Sequence, residues 1–88
     1  MFTKKYRPLT DYLLKVNSNE ITLTYSDIEN IIGEKLPNSA YKYNAWWVNY
    51  DETHSHSAGW TNAGFEVANV REILLTHRVV FNRIYKLF

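Results

Sequence analysis

The run Thr24 to Ala40, TYSDIENIIGEKLPNSA, constrains the fold more than any other part of this 88-residue chain, because it writes a helix, its stop and a new helix start in one stretch. Ser26 followed three residues later by Glu29 predicts a capping box: the serine oxygen accepts from a free backbone N–H and the glutamate reaches back to the serine N–H. Ile28, Ile31 and Ile32 share one helical face. Gly33 supplies the left-handed residue that ends the helix, and Pro37 blocks continuation. Asn38-Ser39 starts again. Ala40, Tyr43 and Trp47 then fall at i, i+3 and i+7, which predicts a third helix from Ser39 to Trp47, although WWV also suits the start of a strand.

The flanking segments fit around this pair. Pro8 suits a helix start, and Leu9, Tyr12, Leu13 and Val16 follow at helical spacing until Asn17-Ser18-Asn19. EITLT, Glu20 to Thr24, alternates and is rich in β-branched residues, as a short strand is. Asn49 to His54 is a polar loop, and Ser55 opens a short helix through Ala63 that Gly64 stops. FEVANVREI and THRVVFNRI then form a C-terminal antiparallel hairpin across a short apolar connector. The expectation is one α+β domain over residues 1–88: helix, short strand, helix, helix, short helix, hairpin. That is the order of a small winged helix-turn-helix domain.

Such a chain buries only ~60–65% of the surface its unfolded form exposes, so each bulky side chain counts. Ser39 to Trp60 holds all three tryptophans together with three tyrosines and two histidines. Indoles of this density build a core, with at least two of the three inside. Adjacent residues cannot face inward equally, so Trp46 is the one expected at the surface as a stacking platform for a base. His54-Ser55-His56 beside Asp51 and Glu52 supplies too few ligands for a metal site, and no cofactor is implied. His56 reads instead as a hydrogen-bonding residue at the start of the short helix, with His54 in solvent. No glycine-rich phosphate loop, paired nucleophile and base or acidic two-metal cluster is visible, so catalysis is not expected.

With no cysteine, no unbroken apolar run at the N-terminus and no stretch of ~18 apolar residues, a cytoplasmic protein away from membranes is the expectation. The net charge is +1, but its distribution is uneven. Lys4, Lys5 and Arg7 face no acid within residues 1–10, and Arg71, Arg78, Arg83 and Lys86 face Glu72 alone within 67–88, so the three segments carry +3, −5 and +3. If the ends meet in the fold they make one basic face able to contact phosphate.

The words KYRPLTDYL, LTYSDIENIIGEKLPNSA, AWWVN, HSHSAGWTNAGFEV and VVFNR resemble a small bacterial and phage domain family of unknown function. Its members read as Pro-Leu-x-x-Tyr-Leu, Leu-Pro-x-Ser-Ala, Ala-Trp-Trp-x-Asn and Ala-Gly-(Trp/Phe)-x-Val, and occur alone or joined to nuclease or restriction-type proteins. The resemblance spans nearly the whole chain. It implies a nucleic-acid or defence-related setting and places the family's polar words on Ser39, Trp46, Trp47, Asn49, His56 and Arg83. Relatives carry a basic residue before Ala-Trp-Trp where this chain has Asn44, which moves the basic role to Lys42 or the terminal arms.

The expected function is DNA binding without catalysis. Lys4, Lys5 and Arg7 form a basic arm, and Ser39, Lys42 and Asn44 the groove-facing helix. Trp46, Asn49 and His56 lie nearby, while Arg71, Arg78 and Arg83 contact phosphate from the wing side. The alternative is a phage or mobile-element anti-defence factor that docks on a host protein through an aromatic surface. The sequence leaves the oligomeric state open.

Overall fold

The computed structural model of the chain describes residues 4–49 and 55–84. A 3₁₀ turn at Lys4–Tyr6 leads into α1 (Arg7–Leu14), where Pro8 occupies the first turn and Leu9 and Leu13 face the core. β1 (Glu20–Thr24) runs directly into α2 (Tyr25–Ile32), which ends on Gly33 at φ 80°, a left-handed conformation that costs glycine little. After Pro37 comes α3 (Asn38–Lys42), followed by a 3₁₀ turn at Asn44–Trp47. A further 3₁₀ turn at Ser55–Ser57 and α4 (Ala58–Thr61) precede β2 (Phe65–Val67), α5 (Ile73–Thr76) and β3 (Arg78–Arg83). The architecture is the expected α+β order of helix, strand, helix, helix, short helix and hairpin.

The three strands form one antiparallel sheet in the order β1-β3-β2, which puts the last strand in the centre. Thr24 pairs with Arg78 and Glu20 with Asn82, while Phe65 pairs with Arg83 on the other side. The hairpin is shorter than its sequence pattern. FEVANVREI is β-rich as far as Ile73, yet β2 stops at Val67 because the Asn69 side chain stands in for the next backbone rungs. Its Oδ1 accepts from Val80 N at 2.9 Å and its Nδ2 donates to the Arg78 carbonyl at 2.9 Å. The chain is thereby freed to form α5 inside the wing between the two strands.

One buried cluster joins sheet and helices, and an aromatic column runs through it. Tyr25 stacks on Trp47 with centroids 5.4 Å apart, Trp47 on Trp60 at 5.8 Å, and Trp60 leans on Phe81 at 6.0 Å. Trp47 and Trp60 are buried. Side chains of that size remove ~150–250 Å² each from water, about 4–6 kcal/mol apiece at the usual coefficient, an upper figure because the unfolded chain is itself partly collapsed. The aromatic density between Ser39 and Trp60 is therefore first of all a core.

Tyr6, at the entry to α1, packs against α4 closely enough to require glycine. A Cβ on Gly59 would lie 2.8 Å from the Tyr6 Cβ, and the Thr10 hydroxyl donates to the Gly59 carbonyl at 2.8 Å, holding the two helices at that distance. Gly59→Ala is expected to destabilise the domain by about 1–3 kcal/mol, read as a thermal midpoint lowered by at least ~4 °C. An unchanged midpoint would mean that α1 and α4 are not held this close.

Candidate nucleic-acid interface

The helix-turn-helix unit is fastened by a carboxylate that sequence reasoning placed in a different role. The capping box lies two residues earlier than its sequence signature. Thr24, still extended at φ −78° and ψ 166°, accepts from Asp27 N at 3.0 Å, and Asp27 returns the bond to Thr24 N at 2.9 Å. Ser26 is already inside the helix. Glu29 is thus released from capping, and its Oε2 accepts from Leu36 N at 2.8 Å and from the Tyr41 hydroxyl at 2.7 Å. One carboxylate oxygen ties α2 to the turn and to α3. The Tyr41 hydroxyl, with help from the Leu36 N–H, holds the Glu29 pKa below its ordinary value, and the same carboxylate pushes Tyr41 up to about 12.

α3 is half as long as the Ser39–Trp47 spacing predicts, and its break has a definite cause. An α-helix continuing past Tyr43 needs the Ala40 carbonyl to accept from Asn44 N–H. That carbonyl instead takes the Tyr25 hydroxyl at 2.7 Å and the Trp47 indole N–H at 3.0 Å. Tyr43 then turns to an extended conformation, φ −128° and ψ 123°, and the chain resumes as a 3₁₀ turn. Ala40 is the buried side of α3, whereas Ser39, Lys42, Tyr43 and Asn44 are exposed. Asn44 belongs to the 3₁₀ turn and not to the face of the helix. Between them, Ser39, Tyr43, Ala45 and Trp46 line a cleft of about 260 Å³.

The wing reaches this helix through His77. His77 adopts φ 55°, stacks on Tyr25 at 4.7 Å and meets Tyr41 edge-on at 5.7 Å, while its carbonyl accepts from Tyr25 N. Lys42 follows Tyr41 and Arg78 follows His77, so this contact brings together the two segments that carry these exposed cations. Arg71 is exposed on the same wing. Among the described residues, neither Lys42, Arg71 nor Arg78 is in an ion pair.

The other candidate residues are placed differently. Lys5 lies 3.7 Å from Glu34 and Arg7 lies 3.5 Å from Asp11. Lys4 opens the first 3₁₀ turn beside them. Arg83 sits at the opposite end of α1. Its Nη2 donates to the carbonyls of Val16 at 2.8 Å and Ser18 at 3.1 Å, and its guanidinium covers the Phe65 ring at 4.7 Å. Among the described residues, Arg83 therefore does not join Lys5 and Arg7 in one basic face. Asn49 is spent within the fold: its amide donates to the Val67 carbonyl at 2.9 Å, and its Oδ1 accepts from the Trp60 indole at 3.0 Å and from Val67 N. Trp46 is half-buried and not fully displayed. His56 stacks on it at 4.1 Å with an interplanar angle of 9° and reaches the Trp46 carbonyl through Nε2 at 2.6 Å. His54, Asp51, Glu52 and Lys86 lie outside the described residues.

Tyr25, Glu29, Tyr41 and His77 organise this surface, and sequence reasoning gave none of them that part. Tyr25 and His77 sit at the joins between elements, where periodicity carries no signal. The chain belongs to the family of domains of unknown function DUF7662, whose model matches residues 6–84. No curated protein and no solved structure matches it. Among the described residues, no helix is long and apolar enough to cross a membrane.

Stability is expected to depend on pH at both extremes. The lowered Glu29 pKa means that below about 4.5 the unfolded chain binds the proton first, so stability falls as pH drops through the folded value. On the alkaline side Tyr41 and the buried Tyr6, each raised to about 12, keep protons that the unfolded chain releases from about pH 10, so stability falls between those values. Denaturant melts from pH 2 to 7 should show a shallower acid limb for Glu29→Gln. An acid limb identical to that of the parent would exclude Glu29 as its source.

Proposed function

We propose that this DUF7662 member is a non-catalytic DNA-binding domain that presents α3 to a groove and the wing to the backbone. The observation that supports the reading is the Tyr41–His77 contact, which joins α3, carrying the exposed Lys42, to the wing, carrying the exposed Arg78. Lysine suits phosphate or guanine, and the exposed Ser39 and Asn44 offer a hydroxyl and an amide. Lys42, Arg71 and Arg78 are the phosphate contacts. His56 backs Trp46 at this surface, whereas Asn49 and Arg83 are engaged in bonds elsewhere in the fold. Lys5 and Arg7, each beside an acid, add less to the field than their number implies.

Three phosphate contacts give a logarithmic salt slope of about −2.7 on duplex DNA. The Lys42→Ala, Asn44→Ala double variant is expected to weaken binding about tenfold or more and to reduce that slope by about 0.9, with an unchanged melting midpoint because both side chains are exposed. Titration of labelled DNA at low and moderate salt reads both quantities. Affinity insensitive to salt would contradict the proposal.

A second reading is an anti-defence factor of a phage or mobile element docking on a host protein. It draws on Tyr43, 61% exposed, and Val48, 40% exposed, apolar side chains flanking the 3₁₀ turn. This reading predicts no saturable binding to DNA even at low salt.

A further inference from the structure

The cleft beside α3 has a shape and chemistry that a flat groove contact does not use. Its walls are Tyr43 and Trp46, its small residue is Ala45 and its polar rim is Ser39. Among the described residues, no charged side chain lines it. At about 260 Å³ it is smaller than the ~300 Å³ at which clefts for drug-sized ligands begin, which fits a single planar ring system.

The walls are also held in position. Trp46 is stacked by His56 at 4.1 Å and meets the edge of Trp47 at 4.7 Å and of Tyr6 at 6.0 Å, so its ring is fixed from several sides. Tyr43 is swung outward by the break that the Ala40 carbonyl imposes on α3. Lys42, the residue before Tyr43, is exposed and does not itself line the cleft. Aromatic side chains with a hydroxyl beside them are groups that hold an unstacked nucleotide, and an exposed cation lies one residue away in the chain.

We propose that this cleft takes one unstacked nucleobase of the bound DNA, so that the domain prefers DNA carrying an unpaired nucleotide over a perfect duplex. The inference rests on the DNA-binding reading and narrows its substrate. A base inside a duplex must be unpaired and unstacked before it can enter, whereas a bulged base has already lost its pairing. The preference follows from that difference in cost.

The test compares a duplex bearing a single bulged 2-aminopurine with the matched duplex in which 2-aminopurine is paired with thymine, using the parent chain, Tyr43→Ala and Tyr43→Phe. Tyr43 is 61% exposed and outside the core, so these variants are expected to fold, and a melt verifies it. The parent should bind the bulged duplex about fivefold or more tightly than the paired one and quench the 2-aminopurine fluorescence. Tyr43→Ala should lose that preference, and Tyr43→Phe should retain it. Equal affinity for the two duplexes, or a preference untouched by Tyr43→Ala, overturns the inference and leaves DNA binding standing. Binding to neither duplex at low salt overturns both, and leaves a partner protein's side chain as the occupant to consider.

Discussion

The structure depends on the carbonyl oxygen of Ala40. Its two lone pairs are taken by the Tyr25 hydroxyl and the Trp47 indole, both buried donors that would otherwise go unmet at a cost of about 1–3 kcal/mol each. By taking both, it ends α3 after little more than one turn, turns Tyr43 outward and seats Trp47 against Tyr25. The aromatic column and the exposed cleft are thus two results of one hydrogen-bonding choice. A longer third helix would have lost both.

The same economy recurs wherever regular structure stops. Asn69 closes the β2–β3 ladder, Asn49 joins the β2 edge to Trp60, Arg83 covers the carbonyls at the end of α1, and Glu29 fills the turn between α2 and α3. In each case a side chain completes a backbone that can no longer pair with itself. Among the described residues, no buried side-chain nitrogen or oxygen lacks a partner. A chain this small without cysteine has few other ways to stiffen its joints.

The element order was legible because it rests on strong local signals: Pro8 at the start of α1, Gly33 and Pro37 between the helices, and the alternation of EITLT. The aromatic stretch was also read correctly as core, since two indoles inside a small domain follow from area alone. What misled was local grammar with two valid parses. Thr24 and Asp27 make as good a capping box as Ser26 and Glu29, and only the direct run of β1 into α2 selects between them. The length of α3 and the end of β2 were not legible, because each is decided by a side chain distant in sequence or by an asparagine imitating backbone. Asn49 and Arg83 show the same limit at the surface. A polar residue type suited to nucleic acid is also suited to internal hydrogen bonding, and burial decides between them.

The proposed binding surface is therefore an outgrowth of the core, built from what the Ala40 junction leaves outside. Tyr43 lines the cleft next to it, and His77 packs on Tyr25 and Tyr41 from the wing. The most direct measurement of this account is the hydrogen exchange rate of the Trp47 indole N–H by NMR. With its donor bonded to Ala40 inside the core, that proton should exchange only through global unfolding, at a free energy equal to that from denaturant melts. Exchange as fast as an exposed indole would show that the junction does not exist as described, and the break in α3 would need another cause.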